Sequence, residues 1–412
     1  MKQEFITIRE KETTARIQAS QVQAVRIKDI TKKGVRVYQD GKIGIAGIVG
    51  DTEDSVLLQE AVTNLEAGIE YPFPLSKDLK DHRSYGGPIA AQEVVNEAEA
   101  ILAVLRDEFP DFSFSEFVAA NEIEYSMRNS EGLDLKYQDA YFNITLILKE
   151  KATANLFDGA LVCGSRRFER EKFLSFNREF LAAYRNKVEL PEGEKLPVFT
   201  LGADAPLEFI GRALNGERYA KGGSLFSGRL GEQLFSERIT IELNRDPLLK
   251  GSPFFDAEGV VLPNDRLAVF EAGKLVNVLT DKKTALLYDL PHTGAATGGY
   301  DDVPTIDGAH GRSLAFKTDA QDIAAALKGQ PAIFAFMASG GDFTADGSYA
   351  TPVQVAFLFD GKRIIGKLPE FAMRSHLDKM LGEDYIGTFD NTVFYLGDLP
   401  SQLQGYYMTI DR

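Results

Sequence analysis

Along the first fifty residues, apolar side chains fall at every second position. The runs "EFITIRE", "TTARIQASQ", "QAVRIKD" and "GVRVYQDGKIGIAGIVG" alternate Ile, Val, Tyr or Ala with polar residues. A period of two sends successive side chains to opposite faces of a strand. The stretch therefore predicts an antiparallel meander with one wet face, broken by charged or Gly-containing turns. Asp40 and Gly41 both tolerate positive φ and predict a hairpin between two of these runs. The period then changes. In "DTEDSVLLQEAVTNLEAGIE", Leu58, Ala61, Val62 and Leu65 recur at helical spacing, with Asp51 or Thr52 placed to cap the start and Gly68 to stop the helix. A second helix, Ile89 to Arg106, carries Val94, Val95, Ala98, Ile101, Leu102 and Leu105 on one face, with Pro88 suited to its first turn.

From about Phe112 the period of two returns. "NEIEYSMRNSEGLDLKYQDAYFNITLILKE" reads as a strand, a turn at "NSEG", a strand and a further strand rich in Ile and Leu. A helix over Arg167 to Arg185 follows. "ELPEGEKLP", Glu189 to Pro197, has the prolines, glycine and glutamates of a linker. Beyond it, short strands alternate with Gly- and Asn-rich turns, and "PEFAMRSHLDKML" reads as an amphipathic helix carrying His376. The fold class is α+β: an N-terminal antiparallel sheet with helices, then a mainly β C-terminal module, barrel-like or sandwich. The expected modules are 1–110 (α+β), 111–190 (β-rich with a helix) and 191–412 (mainly β).

Composition narrows the function. A formal net charge of −15 argues against a nucleic-acid partner, because phosphate affinity needs clustered Lys and Arg. The densest basic run, "SRRFEREKF", already contains two glutamates and reads as a solvated helix face. The single cysteine, Cys163, rules out an internal disulfide and a Cys-cluster zinc site, and its apolar run makes it a small buried hydrophobe. The N-terminal segment lacks the apolar core of a signal peptide, and no apolar run approaches a membrane span. The expectation is a cytoplasmic protein with no membrane partner.

Little catalytic chemistry stands out. None of the four histidines is within helical reach of another, so no local His pair can share a metal. His82 and His310 fall in polar, Gly-rich stretches that read as exposed loops. His292 opens a loop of small residues, "LPHTGAATGG", where backbone can approach a ligand, although a structural turn is the plainer reading. The Gly-rich stretches "TGAATGGYDD" and "ASGGDFTADGS" lack the Lys-Ser/Thr of a phosphate loop and carry aspartates that repel phosphate. They fit loops bordering a cleft. There is no Gly-x-Ser-x-Gly elbow.

Five collinear blocks nevertheless resemble one family. "GVRVYQDGKIGIAG" with the following helix is similar to the N-terminal module of the TldD/PmbA family, historically labelled modulators of DNA gyrase. "RNSEGLDLKYQDAYFNITLIL" is similar to its central module. "FSGRLGEQLFSERITIELNRDPLLKGSPFFDAEGV", "VFEAGKLVNVLTDKKTALLYDLPHTGAATGG" and "GGDFTADGSYATPVQVAFLFDGKRIIG" are similar to its C-terminal module. The resemblance implies a contrast between two branches. The TldD branch is a metallopeptidase with a His-Glu-x-x-x-His helix ahead of the "GRLGE" block and a later cysteine ligand. The PmbA/TldE branch lacks these ligands and pairs with the first.

Placed on that helix, the two His positions fall on Leu207 and Arg212 and the Glu position on Glu208, while Gly211, Ala213, Leu214 and Gly216 agree with the surrounding pattern. No His lies between His82 and His292, and no Cys follows Cys163. Leucine cannot ligate a metal and a protonated guanidinium repels one. The resemblance thus implies no catalytic residue, metal or cofactor here, with Glu208 and Arg212 forming an i,i+4 ion pair. It implies a catalytically silent PmbA/TldE-like subunit, a homo- or heterodimer with a TldD-like HExxxH-bearing chain, which helps build a cleft for extended or unfolded peptide segments. His292, Thr293 and Gly294, with Gly340, Gly341 and Asp342, are the candidate cleft-lining residues. Two alternatives stand beside this reading. One is a self-sufficient peptidase in which His292 converges with Asp256, Asp301 or Asp302. The other is a protein-binding regulator, as the gyrase label suggests.

Overall fold

Three long strands form the opening meander, where the charged residues suggested a series of short ones. In the computed structural model, which describes residues 1–155, 157–202, 204–246, 248, 251–298, 304–311, 313–320 and 322–412, these are β1 (Lys2–Gln18), β2 (Gln21–Gln39) and β3 (Lys42–Val49). The charges do not interrupt pairing because they meet across strands: Lys28 lies 2.9 Å from Glu10 and Lys11 3.7 Å from Glu122. Asp40 and Gly41 make the expected hairpin turn, with φ of 52° and 73°. The other hairpin turns on Ala19 and Ser20, also at positive φ, held from outside by hydrogen bonds between Ser20 and the backbone of Phe114.

The first helix, α1 (Asp54–Thr63), starts later than expected. Neither Asp51 nor Thr52 caps it; Glu53 stands at the cap without a side-chain bond, and Asp51 instead pairs with Lys33 at 2.6 Å. Leu57 and Ala61 face inward, Val62 turns outward, and a 3₁₀ turn ends at Gly68 in the left-handed region. Strand β4 (Leu79–Tyr85) contains His82, which corrects the loop expected there. Helix α2 (Ala91–Glu108) buries Val94, Ala98, Ile101, Leu102 and Leu105, the expected face without Val95; Pro88 precedes it rather than entering its first turn. Strands β5 (Phe112–Asn129), β6 (Leu133–Glu150) and β7 (Gly159–Ser165) complete a seven-stranded sheet in the order β3-β2-β1-β5-β6-β4, with β7 also on β6. All pairings in it are antiparallel except β4 with β6. Residues 133–150, expected as two strands, are one. Strand β5 pairs with β1 from Glu4↔Asn129 to Ile17↔Glu116, so the sheet runs through both of the first two expected modules. Cys163 is buried in β7, and α3 (Arg170–Arg185) packs with α2 on the sheet.

The expected linker ends inside a strand, β8 (Lys195–Leu201), whose Leu196 and Val198 are buried. After α4 (Asp204–Ala213) and α5 (Gly216–Ala220) come β9 (Ile241–Asn244), β10 (Arg266–Glu271), β11 (Lys274–Leu275), α6 (Lys282–Tyr288) and β12 (Leu314–Phe316). Their four strands form an antiparallel sheet, β11-β10-β9-β12. The chain continues through α7 (Ile323–Leu327), β13 (Ala332–Ala338), β14 (Asp342–Phe343), β15 (Ser348–Phe359), β16 (Ile364–Lys367), β17 (Phe371–His376), α8 (Leu377–Met380), β18 (Tyr385–Asp390) and β19 (Gln402–Asp411). Strands β13-β8-β19-β17-β15 close on themselves through β13–β15, so the C-terminal module contains a five-stranded barrel. Closure removes the free edges that five short strands would otherwise expose. The segment expected as one helix carrying His376 begins as β17 and ends in the short α8, which His376 caps, accepting from the Asp378 amide at 3.3 Å.

Alternation along the barrel strands joins the two halves of the molecule. Val198, Ile333, Ala335, Val353, Met373 and Met408 share one apolar cluster with α4. Their neighbours Phe199, Phe334 and Phe357 point the other way, into a second cluster with α2 and α3. No described helix is long and apolar enough to cross a membrane.

Candidate functional site

Helix α4 is the segment on which the metal motif would lie. Pro206, Phe209, Ile210 and Ala213 bury one face, and Phe209 meets Phe343 with ring centroids 5.0 Å apart. Gly211 lets the helix approach Gly311: a Cβ on Gly211 would sit 3.2 Å from the Gly311 Cα. Leu207 is partly buried against the main apolar cluster, so its hydrocarbon is used in packing. Arg212 and Glu208 face solvent and form the expected i,i+4 pair at 3.0 Å. Arg212 also reaches Asp342 at 3.4 Å. The fold thus brings Leu207, Glu208 and Arg212 beside the Gly340–Asp342 turn.

These residues do not fit a metal. A Leu side chain has no lone pair, the Arg212 guanidinium is permanently cationic, and the one carboxylate between them is held by that cation. Among the described residues, no group of three or more His, Cys, Asp or Glu side chains is placed to share an ion.

The two candidate loops have different local roles. Gly341 immediately precedes β14, where a Cβ would fall 2.0 Å from the Ala350 carbonyl, so only glycine lets the chain reach β15 here. Thr293 is buried and bonded reciprocally to Thr280, amide to hydroxyl, at 2.7 and 3.0 Å. Gly294 takes a φ of 61°. His292 does not join the Arg212 cluster; its Nε2 lies 3.6 Å from Glu258. Asp256 uses its two oxygens to accept the amides of Glu258, Val260 and Ala296 at 2.9, 2.8 and 3.1 Å. Asp301 and Asp302 lie outside the described residues. His82 is exposed in β4, 2.9 Å from Asp134, and His310 lines the cleft described next.

Glu258 is 2 % exposed and went unnoticed in the sequence. It accepts from the Tyr71 hydroxyl at 2.7 Å and the Lys282 amide at 3.0 Å. Burial works against its charge, but the neighbouring His292 and the Tyr71 hydroxyl outweigh this and hold its carboxyl below the usual glutamate range. A depressed folded value contributes stability that is fully present above the unfolded value, about 4.3, and is lost as pH falls through the folded one. In urea unfolding, the wild-type advantage over Glu258→Gln is therefore expected at pH 7 and should shrink below about pH 4.

A cleft of about 460 Å³ separates the N-terminal sheet from the C-terminal module. Ile8, Tyr125 and Met127 line it on one side, and Arg245, Phe255 and Asp256, with Ala296, Thr297 and Gly298 of the small-residue loop, on the other. Arg36 spans the boundary. Fully buried, it pairs with Glu4 at 3.0 Å and donates to the carbonyls of Ala257, Pro304 and Thr305 at 2.6, 2.5 and 3.2 Å. Nothing in "GVRVYQ" signals this, because an Arg between two valines reads as the wet side of a strand.

Residues 202–398, which include α4, the four-stranded sheet and much of the barrel, match the family model of the PmbA/TldA metallopeptidase C-terminal domain. Residues 202–398 belong to the TldD/PmbA family. Its fold is similar to that of TldE from Thermococcus kodakarensis, with a TM-score of 0.76 at 16% identity, over 99% of this chain and 96% of that one. A Thermotoga maritima protein labelled a modulator of a DNA gyrase gives a TM-score of 0.76 at 19% identity over the same shares. Among curated relatives, a metalloprotease of Methanothermobacter thermautotrophicus is 34% identical over 101 residues, 24% of this chain and 21% of that protein. An uncharacterized protein of Methanocaldococcus jannaschii is 25% identical over 295 residues, 66% of this chain and 65% of that protein. The chain therefore spans less than two thirds of the length of these two curated relatives. Family membership gives the motif helix its meaning: in this chain, α4 carries packing and ion-pairing residues at the positions where the resemblance puts metal ligands.

Proposed function

We propose that this chain is the non-catalytic, TldE-like subunit of a TldD/TldE-type metalloprotease, paired with a relative that carries the HExxxH helix. One observation carries the reading: Leu207 packs into the core and Arg212 is tied to Glu208 and Asp342, at the two positions where an active relative would hold its ion. The chain's contribution is then to build and bound a site for extended peptide. Strand addition is the physical route, since main-chain hydrogen bonds accept any sequence and Gly-lined strand ends leave room for it. A partner is also favoured by the outer end of β2, where Val25 and Ile27 are 47% and 60% exposed, apolar surface that a second chain would cover.

Reconstitution tests this. A flexible peptide is offered to the chain alone, to an HExxxH-bearing relative alone, and to an equimolar mixture, each with zinc. Zinc-dependent cleavage should appear or rise sharply only in the mixture. Zinc-stimulated cleavage by this chain alone would overturn the reading, and so would a relative whose rate and mass on a sizing column are unchanged by the mixture.

A further inference from the structure

The cleft between the sheet and the C-terminal module holds a cation that is short of partners among the described residues. Arg245 follows β9 and is 7% exposed. Its Nη2 donates to the Gly294 carbonyl at 2.8 Å, while its Nε is buried and donates to nothing among the described residues. Burial pushes its pKa down, and the Asp256 charge opposes this. Yet no hydrogen bond joins Asp256 to it among the described residues; the Asp256 oxygens accept three backbone amides instead. Arg36, on the same cleft, shows what a satisfied buried guanidinium looks like: one carboxylate and three carbonyls. A guanidinium presents five donors in a planar arrangement that matches a carboxylate bidentately. An isolated buried polar donor costs stability unless something completes it.

The rest of the cleft has the character of a ligand site. Its volume falls in the range of small-molecule and peptide pockets, and Ile8, Tyr125 and Phe255 give it apolar walls. On its lining Glu10 and Asp256 stand against Lys32, Arg36 and Arg245, a mixture that suits an anion of low charge. We propose that this cleft receives a carboxylate-bearing ligand, with its carboxylate on Arg245 and its apolar body against Ile8, Tyr125 and Phe255. The carboxylate is either the C-terminus of a peptide or an acidic side chain within one. The site belongs to this chain alone, and it stands whether or not the chain pairs with a metal-bearing relative.

Calorimetric titration of the full chain with three N-acetylated peptides of one apolar sequence tests it: a free C-terminal acid, its amide, and an amide with one internal Glu. At least one acidic probe should bind about tenfold or more tightly than the neutral amide, as a charge-assisted bidentate contact requires. Preference for the free acid identifies a peptide C-terminus, and preference for the Glu probe an acidic side chain. Arg245→Met should erase the preference. If that variant does not fold, Ile8→Glu, which sets a negative charge on the opposite wall, should shrink the preference for the acidic probe instead. No binding by any probe, equal binding of acid and amide, or a preference that survives whichever variant is used would overturn the proposal.

Discussion

Arg36→Ala is expected to lower stability by about 3–5 kcal/mol, because breaking a buried ion pair from one side strands the other charge. Arg36 and Glu4 are 2% and 1% exposed, and Glu4 also accepts from Tyr38 at 3.0 Å. The loss would exceed that of an ordinary pair. The same guanidinium serves the carbonyls of Ala257, Pro304 and Thr305, so its removal leaves acceptors unsatisfied on both sides of the cleft. Replacing both partners, Glu4→Leu with Arg36→Met, should cost clearly less than Arg36→Ala, since no lone charge remains. Urea unfolding of the three variants measures this. Equal losses for the single and double replacements would show that packing, and not charge, dominates at this position.

Phe334→Ala is the second large effect, again about 3–5 kcal/mol, through lost burial and the cavity left behind. The ring is fully buried, stacks on Phe394 at 4.2 Å between centroids, and sits in the apolar cluster shared by the barrel, α2 and α3. Because the cluster joins barrel and sheet, the N-terminal sheet should lose protection from hydrogen exchange along with the barrel in this variant. Loss confined to the barrel would mean that the two halves unfold separately.

What could be read in the sequence follows from where each signal is encoded. Periodicity is local, so the alternation of β1–β3 and β5–β6, the buried face of α2 and the presence of α3 were legible. So was the Asp40–Gly41 turn, whose φ values demand such residues. The Ala19–Ser20 turn was not, because its support comes from Phe114 and Ser115 nearly a hundred residues away. Strand ends were misplaced where charged pairs such as Lys28–Glu10 imitate turns. Barrel closure was left open beside a sandwich, since both bury alternate residues and only the β13–β15 pairing decides. At the site, the Glu208–Arg212 pair was legible from its spacing. The approach of Asp342 was not, and neither were Glu258, Arg36 and Arg245. A buried charge is defined by partners that the fold supplies, and no local pattern announces them.

The central claim is that α4 presents hydrocarbon and guanidinium where an active relative grips an ion. Elemental analysis decides it most directly: the purified chain is stripped with chelator, exposed to equimolar zinc, desalted and measured. The account predicts no retained zinc, and no change when Glu208 is replaced by Ala. Stoichiometric zinc that survives desalting and disappears in Glu208→Ala would contradict it.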